Sequence, residues 1–127
     1  MRIELLYDYV DYIIICEGRY DHSGNKKKIN FKLKNKKFQK KIIHLIYKKK
    51  FPFNSDSWEK ERLQREYLLK ILNKRCNSED LIMYSDSDEI VNPKKLKSIN
   101  LKEKFGIFMQ LGFSYKFNFP TRKDCQK

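Results

Sequence analysis

Apolar positions along the chain alternate between helical spacing and short continuous runs. Ile3, Leu6, Tyr7 and Val10 fall on one side of a helix, which predicts a helix over residues 2–9. Residues 10–16 are apolar apart from Asp11, and predict a strand buried on both faces, closed by Glu17. The polar stretch 18–31 carries Ser23-Gly24-Asn25 as a turn signal. Residues 31–41 are weakly helical around Phe38, and Ile42–Tyr47 is a second β-branched strand. After the stiff Phe51-Pro52-Phe53 loop, Ser57 is placed to cap a helix starting at Trp58, itself read as a core anchor. Glu59 and Glu61 lie in its first turn, and Leu63, Tyr67 and Ile71 form a stripe through about Arg75. Leu81, Ile82, Met83 and Tyr84 predict a third buried strand. Asn92-Pro93 opens a short helix to about Ser98. Residues 105–111 and 113–119 read as two more strands broken at Gly112, and 120–127 as a polar tail.

Strands alternating with helices predict an α/β domain with a mostly parallel sheet. At 127 residues the chain has room for a single domain, 1–127. Three cysteines with no CxxC pair indicate neither a disulfide framework nor a zinc knuckle. No run approaches the ~20 apolar residues of a membrane span. The run at 12–16 is too short for a signal peptide, so the expected location is cytoplasmic.

The net charge of +13 is unevenly placed. No acidic residue separates Asp21 from Asp56, and residues 26–50 hold twelve lysines. Such a block attracts phosphate groups or is simply a solvated face. It contains no arginine and no recognised nucleic-acid motif, which argues against nucleic acid as the partner.

Asp86, Asp88 and Glu89 follow directly on the apolar run 81–84. In an open α/β sheet, ligands bind beyond the carboxyl ends of strands. Three carboxylates in four residues repel one another unless a cation relieves them, and oxygen-only donors favour Mg²⁺ or Mn²⁺. The alternative is an acidic turn capping the next helix. A calcium loop is excluded, because Ile90 and Val91 stand where a ligand and a glycine are needed. His44, inside an apolar strand, reads as structural.

Several motifs then agree in order and spacing with one family. The run from Asp11 to Glu17, His22-Ser23-Gly24, Trp58-Glu59 with Glu61-Arg62 and Gln64-Arg65, and the run from Asp80 to Ile90 together resemble glycosyltransferase family 17. This is the group of β-1,4-mannosyl-glycoprotein β-1,4-N-acetylglucosaminyltransferases. The resemblance implies a GT-A-like nucleotide-sugar-binding fold and an inverting, metal-dependent transfer. The donor would be UDP-N-acetylglucosamine and the acceptor a glycan or glycoprotein. It implies a DxD-type motif at Asp86 and Asp88 holding Mn²⁺ or Mg²⁺ on the donor diphosphate, with Asp86 also touching the donor. It places Glu17 at the nucleoside, Arg62 and Arg65 at the phosphates or in salt bridges, and His22 and Ser23 at substrate. Glu89 is the nearby carboxylate for a catalytic base. Family members carry a further strand before Arg2 and continue beyond Phe119, so the chain reads as the middle of such an enzyme with the first strand missing, either an active transferase or a catalytically inactive nucleotide-sugar binder. That absence predicts direct pairing of strand 10–16 with strand 81–84, or a partner chain between them.

Overall fold

The computed structural model describes residues 2–21, 23–86 and 89–110. They fall into two compact units, divided between Ser85 and Asp86.

The first unit is built on a parallel pair of strands, β1 (Ile13–Gly18) and β2 (Ile42–Tyr47), with Ile13 opposite Ile42 and Gly18 opposite Tyr47. The bounds of β2 match the β-branched run read from sequence. β1 starts at Ile13 rather than Val10. The backbone around Val10 is instead used to end α1 (Arg2–Leu6), where the Lys41 ammonium donates to the carbonyls of Tyr7 and Val10, each at 2.8 Å. Those carbonyls lie where a short helix runs out of internal donors. The same ammonium sits 4.8 Å above the Tyr7 ring, and Tyr7 packs edge-on against buried Phe38 of the 3₁₀ helix η1 (Lys36–Lys41). One lysine of the basic block is thus a structural part.

The helix α2 (Ser57–Leu72) lies against both strands. Its cap is Asp56, whose carboxylate accepts the Glu59 N–H at 2.7 Å, and not Ser57. Aspartate one residue earlier reaches the same orphan N–H groups with a full charge. Tyr47 is buried between Phe51 and Tyr67, with ring centroids 5.5 Å away in both cases. Leu6, Phe38, Tyr47 and Leu72 form the buried apolar set of this unit.

Several expectations are corrected here. The other residues of β1 and β2 are half-buried rather than buried on both faces, except Gly18 and Tyr47 at their ends. Residues 81–84 form no strand; Leu81, Ile82 and Tyr84 are exposed, and β1 pairs with β2 instead. Four apolar residues without a neighbouring ladder have nothing to satisfy their backbone groups as a strand. Trp58 is 77% exposed, so it anchors no core. At position N2 of α2 it projects from the first turn.

In the second unit, Asn92 caps α3 (Pro93–Leu96) by accepting the Lys94 N–H at 3.1 Å, as the Asn-Pro pair predicts. The helix is shorter than expected. Residues 105–110 adopt no regular element, and Phe105, Ile107 and Met109 are exposed, so the strand expected there is not formed over the described residues. The predicted strand 113–119 and the tail 120–127 lie outside the described residues, as do His22 and Asp88.

Candidate functional site

The carboxyl ends of β1 and β2 open onto two clefts that share Tyr20 as a wall. Both depend on how the chain leaves β1. The Arg19 N–H donates to the Tyr47 carbonyl at 2.8 Å, carrying the ladder one residue beyond the strand. The chain then turns back in a small hairpin, with Tyr20 bridged antiparallel to Lys26 and the Lys27 N–H donating to the Arg19 carbonyl at 3.0 Å. Gly24 at the tip has φ +83°, which a side chain would disfavour, and the Asp21 carboxylate accepts the Asn25 N–H at 2.8 Å. The Ser23-Gly24-Asn25 signal therefore marks a real turn, with Ser23 exposed on it.

The first cleft, of about 410 Å³, is lined by Cys16, Glu17, Gly18, Tyr20, Asp21, Lys27 and Gln64. Gly18 permits the close approach of α2. A Cβ there would lie 2.7 Å from the Gln64 Nε2 and 3.1 Å from the Tyr20 carbonyl.

Glu17 is the most constrained carboxylate of the cleft. Its side chain is 12% exposed; Oε1 accepts the Asn30 N–H at 2.7 Å and Oε2 the Phe31 N–H at 3.1 Å. Lys27 Nζ lies 3.7 Å from Oε1 and His44 Nε2 3.4 Å from Oε2. The His44 approach is within ion-pair reach but is not aligned as a hydrogen bond. Burial pushes the Glu17 carboxyl up, but the two backbone N–H groups, then Lys27 and His44, outweigh it and hold the group below the usual carboxylate value. Glu17 is thus an anion at neutral pH that ties residues 30–31 to the end of β1. Burial pushes the Cys16 thiol up, which keeps it protonated and poorly nucleophilic. His44 packs edge-on to Phe31 at 4.9 Å, in the structural role read from sequence.

The second cleft, of about 460 Å³, is lined by Arg19, Tyr20, Lys26, Ile46 and Lys48, and Lys50 Nζ lies 5.5 Å above the Tyr20 ring. Tyr20 and Lys27 carry no pattern that singles them out in sequence, and Gln64 is marked only as part of the Gln64-Arg65 motif. They become neighbours only because the hairpin folds back and α2 crosses the strand end.

Arg62 and Arg65 are on α2, in exposed pairings along their own helix. Arg62 contacts Glu59 at 3.5 Å and also Glu66; Arg65 contacts Glu61 at 3.3 Å. Arg65 Nε also donates to the Tyr84 hydroxyl at 3.0 Å, with the guanidinium 4.9 Å from that ring. In the second unit, the Asp86 N–H donates to a Glu89 carboxylate oxygen at 2.9 Å and the Glu89 N–H to the Asp86 carbonyl at 3.2 Å. This reciprocal turn brings two exposed acidic residues together. Among the described residues, no group of three or more His, Cys, Asp or Glu could hold a metal ion. Two carboxylates with oxygen-only donors nonetheless suit Mg²⁺ or Mn²⁺, which bind through one or two carboxylates together with substrate phosphates.

No helix among the described residues is long and apolar enough to cross a membrane. Comparison with curated proteins and with solved structures returns no match. The family model described as Glycosyltransferase family 17 matches residues 1–126. The two-stranded parallel sheet is compatible with a glycosyltransferase domain, and on the match over residues 1–126 the chain belongs to glycosyltransferase family 17.

Proposed function

We propose that the chain is a metal-dependent, inverting hexosyltransferase with a GT-A-like fold, moving N-acetylglucosamine from UDP-N-acetylglucosamine to a glycan or glycoprotein acceptor. The family match over residues 1–126 carries this reading, because membership implies glycosyl transfer from a sugar donor to a glycan acceptor. The clefts beyond β1 and β2 support it, being where α/β sheets receive ligands.

Asp86 and Asp88 would hold Mn²⁺ or Mg²⁺, which supplies neutralisation of the departing diphosphate without a proton donor. In the transfer, the acceptor hydroxyl oxygen bonds to the anomeric carbon as the carbon–oxygen bond to the diphosphate breaks. The hydroxyl proton goes to the Glu89 carboxylate, whose bond to the Asp86 N–H aims it without consuming its remaining lone pairs. Glu17 likewise keeps a second lone pair on each oxygen for a nucleoside donor group. Arg62 and Arg65 reach the phosphates by releasing exposed helix pairs, each worth less than about 1 kcal/mol. Ser23 contacts substrate from the hairpin, and His22 takes a substrate role by the resemblance.

Calorimetry of UDP-N-acetylglucosamine with and without Mn²⁺, alongside release of UDP in the presence of glycan acceptors, tests the reading. Binding should need Mn²⁺ and be lost in the D86N/D88N double variant while far-UV circular dichroism stays unchanged. Metal-independent binding, or binding retained in that variant, removes the metal site. Absence of both donor binding and UDP release removes the transferase assignment.

A further inference from the structure

We propose that the cleft formed by Arg19, Tyr20, Lys26 and Lys48 binds the oxyanion group of an acidic saccharide, making the acceptor a phosphorylated, sulfated or uronic-acid sugar. The inference rests on the transferase reading and adds a substrate class to it.

Charge balance is the first argument. The cleft is lined by three cations, one tyrosine and one isoleucine, with no carboxylate, and Lys50 stands over the shared tyrosine ring. Arg19 is half-buried, and among the described residues none of Arg19, Lys26 and Lys48 has an ion-pair partner. The neighbouring acids are committed elsewhere: Glu17 to the N–H groups of Asn30 and Phe31 and to Lys27, Asp21 to the Asn25 N–H. A half-buried guanidinium beside two ammonium groups, with no anion of its own, is complementary to a ligand oxyanion.

Rigidity is the second. Arg19, Tyr20 and Lys26 belong to the short hairpin, fixed by the Tyr20–Lys26 bridge and by the backbone bonds of Arg19 to Tyr47 and Lys27. Lys48 directly follows β2. Cations on such a frame lose less freedom on binding than lysines on an unstructured loop. The third is position. This cleft adjoins, through Tyr20, the mixed cleft that holds Glu17 and Gln64. Two adjoining subsites of different polarity suit an enzyme with two substrates. The tyrosine ring supplies an apolar face for a sugar ring beside the cations that take its acidic group. About 460 Å³ is within the usual range of small-ligand pockets.

The test uses the full chain, with glucose 6-phosphate and glucuronic acid as probes, glucose as the neutral control, and calorimetry as the readout. The acidic sugars should bind at least tenfold more tightly than glucose, and should still bind with saturating UDP and Mn²⁺. K26Q/K48Q should weaken them at least tenfold and leave UDP-N-acetylglucosamine binding unchanged within twofold. Lys26 and Lys48 have exposed side chains, so this variant is expected to fold; R19Q, measured separately, should act in the same direction. Equal affinity for glucose and the acidic sugars overturns the proposal. So does competitive displacement by UDP, which would assign the cleft to the donor diphosphate. Binding of a random-sequence oligonucleotide that K26Q/K48Q abolishes, without acidic-sugar binding, would assign it to nucleic acid and also overturn the proposal. If the acidic sugars bind as expected and UDP-N-acetylglucosamine does not, the anion subsite stands and the donor assignment falls.

Discussion

Replacing Glu17 by Gln probes the network that joins the end of β1 to residues 30–31. The amide keeps one oxygen and turns an NH₂ group toward the other backbone N–H, so either Asn30 or Phe31 loses its acceptor. Hydrogen bonds to a charged group contribute about 1.5–3 kcal/mol each. The Asn30 bond is solvent-exposed, the Phe31 bond half-buried, and Lys27 at 3.7 Å adds only a few tenths of a kcal/mol on the scale of screened ion pairs. Discounted for that screening, Glu17→Gln should destabilise the fold by about 1–2 kcal/mol at pH 7. The native fold lowers the Glu17 carboxyl pKa, so the unfolded chain binds the proton more readily. The stabilisation is therefore complete above the unfolded value of about 4.3, and is lost as the pH falls through the lower native value. Urea unfolding of both proteins between pH 3 and 7 measures the gap, which should hold from neutrality to about pH 5 and narrow below it. Far-UV circular dichroism is the appropriate signal, since the lone tryptophan, Trp58, is 77% exposed. A gap that stays constant to pH 3, or one below about 0.3 kcal/mol at pH 7, would refute the reasoning.

Lys41→Met removes two 2.8 Å bonds to the carbonyls that follow α1 and the cation over the Tyr7 ring, and should cost about 1.5–3 kcal/mol in urea unfolding. A loss under about 0.5 kcal/mol would mean that water replaces the ammonium without penalty. Gly18→Ala should cost about 1–2 kcal/mol through the clash with Gln64 and the Tyr20 carbonyl, and Gly18→Ala/Gln64→Ala should recover part of it; a neutral Gly18→Ala would show that the strand end shifts freely. Lys48, Lys49 and Lys50 are exposed after β2, so their joint replacement by Gln should change the unfolding free energy by less than about 1 kcal/mol, and a larger loss would make them structural.

The elements legible in the sequence are those whose signals are local. Ile42–Tyr47 is a β-branched run bounded by lysines, Asn92-Pro93 is a cap followed by a proline that cannot donate, and Gly24 supplies the conformation its turn needs. Residues 81–84 carry a strand-like pattern without forming a strand, because a short apolar run looks the same whether or not a neighbouring strand exists to receive its backbone groups. Lys41 is indistinguishable from its neighbours in a basic run until the end of α1 lies beneath it. Glu17 is visible in the sequence as the polar residue that closes an apolar run, but its partners are not: the N–H groups of Asn30 and Phe31 exist at any residue except proline and leave no signature. Arg62 and Arg65 show helix pairings that the one-turn spacing allowed from the outset.

The short hairpin between the two strands also bears on how the chain reaches its fold. Parallel strands cannot be joined by a tight turn, so pairing β1 with β2 means closing the loop formed by residues 19–41. The Tyr20–Lys26 bridge joins residues only six apart, on the microsecond timescale of hairpins, and removes that stretch from the loop still to be closed. Each halving of a flexible loop lowers its closure cost by about 0.6 kcal/mol. Once Glu17 has taken the N–H groups of Asn30 and Phe31, the chain still free runs only from there to β2. The residues that shape the clefts thus shorten, step by step, the search by which a slow-forming parallel pair finds its register.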